Sequence, residues 1–364
     1  MRAQDEQWMR RALVLARKGE GLTRPNPAVG AVVVRGGRMV GEGYHRKAGE
    51  PHAEVVALRE AGARARGATL YVTLEPCSTW GRTPPCTEAI LATGVRRVVI
   101  GITDPNPKHA GRGLDILRKR GVAVTCGVCE AEAADVLAPF ATHMLHHRPR
   151  VILKLGMTLD GRLADPKGRS RWITGPAARQ QVHALRRRSD AILVGRGTAE
   201  LDNPSLLPVP SGGRRPWRIV LDRCGILSPR NKIFTDGHPA QTLVVIGRDV
   251  SERYRQRLTR HGVELLECPT DRTGFRLKAL LKLLGKRGVL QVLCEGGGTL
   301  AGSLLRSNLV DEAWFFVAPR LLGDQARPAV AGVQWRLNEI PTLRITGVTM
   351  VGEDVLIKAV RKET

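Results

Sequence analysis

His52-Ala53-Glu54, then the run Thr69-Leu70-Tyr71-Val72-Thr73-Leu74-Glu75-Pro76-Cys77, then an eight-residue spacer from Ser78 to Pro85 and the second thiol, Cys86, form the stretch from which the rest of the chain is read. One imidazole and two thiolates suit a borderline-soft Zn²⁺, and three protein ligands leave a fourth tetrahedral position open to water. His52, Cys77 and Cys86 are therefore the candidate metal ligands. Glu54, two residues beyond the imidazole, is the candidate general acid/base: it handles protons and is not a ligand. A lone histidine is normally an ordinary surface or core residue; here the joint pattern of four residues carries the argument. Residues 69 to 74 read as a strand that delivers the chain to Pro76-Cys77, and Pro84-Pro85 suit the start of a helix through Thr87, Ile90 and Leu91. A thiol near that helix start has its thiolate favoured by the dipole, which is what a metal ligand requires.

Upstream, Trp8, Ala12, Leu15 and Ala16 recur at helical spacing in residues 3 to 18, and Gly19 stops the helix. Arg24-Pro25-Asn26-Pro27 cannot continue it. Val29 to Val34 is a strand, and Gly36-Gly37 turns it back into Met39-Val40-Gly41, so a hairpin precedes the metal motif. Residues 53 to 65 are helix-like and end at Gly67. Downstream of Gly94 the pattern runs strand 98–100, loop Asp104-Pro105-Asn106-Pro107, helix 112–120 and strand 122–125. Strands alternating with helices predict an α/β layer structure with a largely parallel sheet.

Composition bounds what such a chain can be. Its 364 residues suffice for two domains with separate cores. No apolar run approaches the eighteen or so residues of a membrane span, and residues 1 to 21 are too charged for a signal peptide, so a soluble cytoplasmic protein is expected. Seven scattered cysteines argue for reduced thiols over a disulfide framework. The net charge of +24 invites a nucleic-acid reading. Against it, the excess is dispersed apart from short groups such as Arg118-Lys119-Arg120 and Arg186-Arg187-Arg188, and few aromatics are present to stack bases. Solvated faces and pockets for small phosphorylated ligands account for the charge instead.

Residues 139 to 150, a His- and Arg-rich segment between Pro139 and Pro149, read as the connection between domain 1–147 and domain 148–364, with His143, His146 and His147 on its surface. A second alternation follows: strands at 151–155, 191–195, 219–222, 243–246, 289–293 and 314–317, and a helix at 176–187. Val289 to Leu293 runs into Cys294-Glu295-Gly296-Gly297-Gly298-Thr299-Leu300, where a helix begins at the glycines. A strand, a glycine turn and a helix N-terminus can cradle an anion on free backbone N–H groups, or can be a plain tight turn. The order of glycines is not Gly-x-Gly-x-x-Gly, so an ordinary dinucleotide fold is unsupported. Cys126 and Cys129 have no nearby partners of matching spacing and read as the incidental end of a strand and start of a helix.

Cytidine and tRNA-adenosine deaminases usually carry Pro-Cys-x-x-Cys, whereas eight residues separate the two thiols here. Glu75-Pro76-Cys77 with Gly81-Arg82-Thr83-Pro84-Pro85-Cys86-Thr87, Arg24-Pro25-Asn26-Pro27 with Val29-Gly30, and Ala48-Gly49-Glu50-Pro51-His52-Ala53-Glu54 resemble the deaminase half of the bifunctional riboflavin-biosynthesis deaminase/reductase family. Leu153-Lys154-Leu155, Thr158-Leu159-Asp160-Gly161-Arg162, Ser170-Arg171-Trp172-Ile173-Thr174, Gly197-Thr198, Asp202-Asn203-Pro204 and Glu295-Gly296-Gly297 resemble its reductase half. The motifs span nearly the whole chain, and two unrelated sets stand in the family's order.

The resemblance implies an N-terminal cytidine-deaminase-like α/β/α domain and a C-terminal dihydrofolate-reductase-like α/β domain. It also implies two consecutive steps: zinc-dependent hydrolytic deamination of 2,5-diamino-6-ribosylamino-4(3H)-pyrimidinone 5′-phosphate, then NADPH-dependent reduction of the ribosyl group to ribityl. By the same match Asn26, Ser170, Arg186, Asp202, Leu206 and Glu295 hold substrate. Lys154, Gly156, Trp172, Thr174, Thr198 and the run Gly297, Gly298, Thr299, Leu300, Ala301, Gly302 and Ser303 serve the NADPH. From their chemistry alone Lys154 can be functional or a plain solvated strand-end lysine, a solvated helix face is the normal reading of Arg186, and Asp202 can be just a turn-former; the three gain weight from the resemblance. One departure stands out: Val209 occupies the place of an arginine common in the family, with Arg214 or Arg215 as substitutes. The partners implied are small phosphorylated pyrimidines and further copies of the chain, as a dimer or tetramer, with neither nucleic acid nor membrane. Two alternatives remain: a nucleic-acid-editing deaminase with a basic auxiliary domain, favoured by charge, and a deaminase whose second half is structural only, favoured by Val209.

Overall fold

The computed structural model describes residues 2–81, 84–107, 109–210 and 215–362. The chain divides into two compact units, one ending at His147 and the other beginning at Arg148.

The first unit runs α1 (Arg2–Arg17), β1 (Gly30–Arg35), β2 (Arg38–Tyr44), α2 (Ala53–Ala61), β3 (Thr69–Leu74), α3 (Cys86–Thr93), β4 (Arg97–Ile102), α4 (Arg112–Lys119), β5 (Ala123–Cys126) and α5 (Glu130–His146). Its five strands lie in the order β2-β1-β3-β4-β5. β1 pairs antiparallel with β2 and β3, while β3, β4 and β5 are parallel, so the sheet is mixed. β1 is buried on both faces, which explains its unbroken apolar run. Ala31 and Val33 face a core with Ala53, Ala57 and Leu58 of α2, Ile90 of α3 and Leu117 of α4. Val32 and Val34 face Met9, Ala12 and Leu13 of α1 and Val136 of α5. Helices therefore cover both sides of the sheet. Gly41 is required by this packing, because a Cβ there would lie 2.3 Å from the Ala57 carbonyl oxygen of α2.

The expected connection at 139–150 is a correction. α5 continues through Pro139 to His146, and His143 is half-buried on it. Pro139 removes one helical donor, yet Ala133, Val136 and Leu137 pack into the unit and hold the helix in place. The 53–65 helix is likewise shorter: α2 ends at Ala61, and a 3₁₀ turn covers Gly62–Ala65.

The second unit contains β6 (Arg150–Thr158), β7 (Arg162–Ala164), α6 (Pro176–Arg188), β8 (Ala191–Gly195), α7 (Arg196–Leu201), β9 (Trp217–Leu221), α8 (Lys232–Thr235), β10 (Thr242–Ile246), α9 (Glu252–Arg260), β11 (Glu264–Glu267), β12 (Thr270–Asp271), β13 (Gly274–Phe275), α10 (Leu277–Lys286), β14 (Gln291–Cys294), α11 (Gly298–Arg306), β15 (Glu312–Ala318), β16 (Arg327–Pro328), β17 (Leu343–Val351) and β18 (Asp354–Arg361). Nine of its strands form one sheet in the order β11-β10-β9-β8-β14-β6-β15-β18-β17. The run from β11 to β15 is parallel, and β18 and β17 add an antiparallel hairpin at one edge. That hairpin and the helices α9 and α10 are absent from the sequence reading. β17 buries almost nothing, so its apolar residues carry no core signal.

Candidate functional sites in the two units

In the first unit β3 and the N-termini of α2 and α3 converge. His52 is the N-cap of α2, and Cys86 is the first residue of α3. The His52 Nδ1 lies 3.2 Å from the Cys86 Sγ and 3.6 Å from the Cys77 Sγ. The backbone N–H of Cys86 donates to the Cys77 Sγ at 3.3 Å. The candidate ligand atoms all fall within 4.8 Å of one another, a spacing that one small cation can bridge. Hydrogen bonding from the Cys86 thiol holds the Cys77 pKa below its ordinary value against the opposing effect of burial. Cys86 is pushed up by the same bond and by its burial. The thiolate is thus favoured at Cys77, the ligand form that a soft-donor zinc site uses.

Glu54 lies in the first turn of α2 and is 3% exposed. Burial, reinforced by the Cys77 charge, raises its pKa to about 7. A carboxyl group in this state gains and loses a proton near neutral pH. Arg82 and Thr83 of the thiol spacer lie outside the described residues.

Two residues that the sequence reading did not single out organise this site. His45 is 2% exposed, and burial lowers its pKa. Its Nδ1 lies 3.2 Å from the Pro51 carbonyl oxygen, which can only accept, so Nδ1 carries the proton. Nε2 then accepts from the Asn26 amide nitrogen at 3.1 Å, which orients that side chain, and the His45 ring stands edge-on to His52 at 5.2 Å. Glu75 is 5% exposed and accepts from three backbone N–H groups: Asp104 at 3.1 Å, Gly111 at 2.9 Å and Gly113 at 2.8 Å. It ties Asp104 and Gly111 of the loop before α4, and Gly113 in the first turn of α4, to the residue pair Pro76-Cys77. Asp104 on that loop has its pKa raised chiefly by burial, with the Glu75 and then the Cys77 charge adding to the shift.

In the second unit the parallel strands β6 and β14 bring Lys154 near Glu295. Lys154 is half-buried, and its pKa is lowered by desolvation; Glu295 and Asp202 oppose that shift, and Arg186 adds to it. Arg186 is no solvated helix face. Its Nε and Nη2 donate to the two Glu295 carboxylate oxygens at 2.6 and 3.0 Å, and its Nη1 donates to the Leu207 carbonyl at 3.2 Å. The Ser170 Oγ donates to Asp202 at 2.6 Å, which makes Asp202 more than a turn-former. Lys154, Arg186, Asp202 and Glu295 therefore form one cluster, and Ser170 joins it through Asp202.

The other expected residues divide by exposure. Gly156 lies below both Lys154 and Thr174: a Cβ built on it would be 3.4 Å from the Lys154 Nζ and 3.4 Å from the Thr174 Cγ2. Trp172 is 60% exposed, with the Arg179 guanidinium 4.5 Å from its ring centroid. Thr198 accepts from the Gly297 N–H at 3.1 Å. Thr299 is exposed and Ser303 half-buried. Leu300 and Ala301 are core residues, and Gly302 is covered by chain: a Cβ there would lie 2.2 Å from the Ala331 carbonyl oxygen. Gly298 meets the Pro328 carbonyl in the same way, at 2.3 Å. Glycine at 298 and 302 is thus demanded by close packing of α11 on the 328–331 segment, whereas a Cβ on Gly297 would meet only the Thr198 Oγ1, at 3.6 Å. The Leu206 side chain is in the core, leaving its backbone for contacts. Val209 is exposed and its N–H donates to His183, Arg215 is exposed, and Arg214 lies outside the described residues.

No described helix is long and apolar enough to cross a membrane. The chain matches the cytidine and deoxycytidylate deaminase zinc-binding region over residues 2–102 and the RibD C-terminal domain over residues 149–357. It is 42% identical to the riboflavin biosynthesis protein RibD of Escherichia coli, covering 98% of this chain and 99% of that one. It is 41% identical to that of Aquifex aeolicus, with 97% of each covered. Among solved structures, Acinetobacter baumannii RibD superposes with a TM-score of 0.89 at 39% identity and complete coverage of both chains. A Thermotoga maritima protein, a diaminohydroxyphosphoribosylaminopyrimidine deaminase/5-amino-6-(5-phosphoribosylamino)uracil reductase, gives a TM-score of 0.87 at 35% identity over 99% of both. With a cytidine-deaminase-like first unit and a dihydrofolate-reductase-like second unit, matched over almost its full length, this chain belongs to the RibD family of riboflavin biosynthesis proteins.

Proposed function

We propose that the chain is a bifunctional riboflavin-biosynthesis enzyme. It deaminates 2,5-diamino-6-ribosylamino-4(3H)-pyrimidinone 5′-phosphate hydrolytically and then reduces the ribosyl group of the product to ribityl. The observation that carries this reading is the coexistence of two separate chemical clusters. The first is His52, Cys77 and Cys86 beside buried Glu54; the second is Lys154, Arg186, Asp202 and Glu295.

In the first cluster, His52, Cys77 and Cys86 would hold a Zn²⁺, whose Lewis acidity would make water nucleophilic near neutral pH. Glu54 takes the proton from the attacking water and returns it to the departing amine. Asn26, with its amide nitrogen committed to His45, presents its carbonyl oxygen to a pyrimidine N–H. In the second cluster NADPH supplies the hydride. Lys154 balances charge at the sugar oxygen, and Arg186 and Glu295 hold the substrate's polar edge with Ser170, Asp202 and the Leu206 backbone. Trp172, Thr174, Thr198, Gly297, Thr299 and Ser303 line the nucleotide. The net positive charge of the chain suits two phosphorylated ligands.

We assign the protein to the cytoplasm, where its unpaired thiols would stay reduced. A homo-oligomer is proposed on β17, an edge strand that exposes Ile345, Val348 and Met350 at 60, 58 and 67%. Light scattering on the purified chain tests that point.

The functional test measures ammonia release and NADPH oxidation separately. Glu54→Gln should retain zinc but lose deamination by at least about a hundredfold, since an amide cannot accept the proton. NADPH oxidation with the deaminated ribosylamino-uracil phosphate should survive. Efficient deamination of tRNA or single-stranded DNA with no NADPH turnover would replace this reading with an editing deaminase; ammonia release alone would leave the second unit structural.

A further inference from the structure

Asp354 opens β18 at the turn of the β17–β18 hairpin and is 2% exposed. Its Oδ2 accepts from the Gly175 N–H at 2.7 Å, a bond that spans 179 positions of sequence. Gly175 is the N-cap of α6 and has no side chain with which to cap it, and Pro176 at the first helical position has no N–H. The carboxylate of a distant strand therefore holds the N–H of the N-cap residue itself, beside the positive end of the helix dipole. The hairpin turn is seated at the same place: a Cβ on Gly352 would lie 3.2 Å from the Ala177 Cβ in the first turn of α6.

The residues just before this bond bear on the reduction. Thr174 hangs over Gly156 beside the Lys154 Nζ. Its carbonyl oxygen accepts from the Arg179 Nη1 at 2.8 Å, and the Arg179 guanidinium covers the Trp172 ring. The Trp172 carbonyl in turn accepts from the Arg320 Nη1 at 2.8 Å. The 172–175 segment is thus pinned by side chains at three of its four residues. Asp354 is the only one of these pins that is fully buried and anionic, and it acts at the point where the segment enters α6.

We propose that Asp354 is a positioning residue for the reductase: through the Gly175 N–H it fixes the 172–175 segment so that Trp172 and Thr174 meet the nicotinamide nucleotide in register with Lys154. This inference rests on the assignment of an NADPH-dependent second unit. It gives the C-terminal hairpin, which no motif of the chain anticipated, a part in binding.

The test uses the full chain, whose two activities provide an internal control. Asp354→Ala removes the acceptor, and Asp354→Asn keeps an oxygen for the same bond. Gly175→Pro removes the donor from the other side at a backbone with φ −70°, within proline's range, and sets its ring Cδ against the Asp354 Oδ2 where the N–H had been. Asp354→Ala and Gly175→Pro should each raise the Kd for NADPH, titrated by its fluorescence in the absence of substrate, and its KM about tenfold or more while ammonia release stays at the wild-type rate. Their double variant should be no worse than the poorer single one, since both break one bond. Asp354→Asn should return to within about threefold of wild type.

A purely structural role would lower the melting temperature and the active fraction but leave the KM of that fraction unchanged, and such a result would overturn the proposal. So would an Asp354→Asn variant as impaired as Asp354→Ala, or additive effects in the double variant. If Asp354→Ala fails to fold, Gly175→Pro and Asp354→Asn decide the matter by the same KM. A wild-type chain without NADPH turnover would instead refute the functional assignment beneath it.

Discussion

Replacing Glu75 with alanine should loosen the metal-bearing unit without touching a metal ligand. The carboxylate accepts from the N–H groups of Asp104, Gly111 and Gly113, and the consequences differ among them. Gly113 is buried, so its N–H, deprived of its acceptor, costs about 1–3 kcal/mol. Asp104 and Gly111 are half-buried and can be rehydrated, so each forfeits only part of a charge-assisted bond. The total comes to about 4 kcal/mol, which for a unit of this size lowers the melting temperature by roughly 8–16 °C. Glu75→Gln keeps one acceptor oxygen, which serves Gly113 best, and should lose on the order of half as much. Calorimetry of the full chain measures the shift, and hydrogen exchange with mass spectrometry localises it: peptides spanning 104–113 should gain deuterium earlier than those of β4. A melting temperature for Glu75→Ala within about 2 °C of wild type, with unchanged exchange at 104–113, would refute the reasoning directly.

The double variant Cys77→Ser, Cys86→Ser should contain no zinc by elemental analysis; stoichiometric zinc would transfer the site to Cys126 and Cys129. Arg218 is fully buried and donates to Asp236 at 2.6 Å and to the carbonyls of Ser205, Ile233 and His238. Arg218→Met should cost about 3–5 kcal/mol in urea unfolding by leaving the Asp236 carboxylate without its cation, with only the Ser205 hydroxyl and the His238 N–H as donors, and adding Asp236→Leu should recover part of that; equal stability of the single and double variants would contradict this. Asp5 is held below the usual carboxylate range by hydrogen bonds from Arg97 at 2.8 and 2.9 Å, against burial, with Tyr71 assisting. A depressed carboxylate contributes stability above its unfolded pKa of 3.8 and loses it as pH falls through the folded value, so Asp5→Asn should flatten the acid limb of the melting curve below about pH 4. An unchanged acid limb would remove Asp5 from the acid sensitivity.

What the sequence determined by itself was local chemistry and local period. The spacing of His52, Cys77 and Cys86 marks candidate ligands, and that of Glu54 a candidate acid/base, before any fold is known, because ligand type and proton transfer depend on residue identity. The apolar run of β1 and the six residues of β3 mark buried strands, and the strand 191–195 falls at β8. Periodicity fails where tertiary contacts outweigh local rules. Pro139 signals a break, yet packing of Ala133, Val136 and Leu137 carries α5 past it. β17 exposes its apolar residues and so resembles loop. Only the tertiary structure turns Arg186 from one arginine in a basic run into the partner of Glu295, 109 positions away. It alone assigns Gly298 and Gly302 to helix packing, and it alone orients Asn26 through His45. The reason is physical: a residue's chemistry is written in its identity, whereas its protonation, its partners and the space around it depend on burial and on contacts that distant parts of the chain supply.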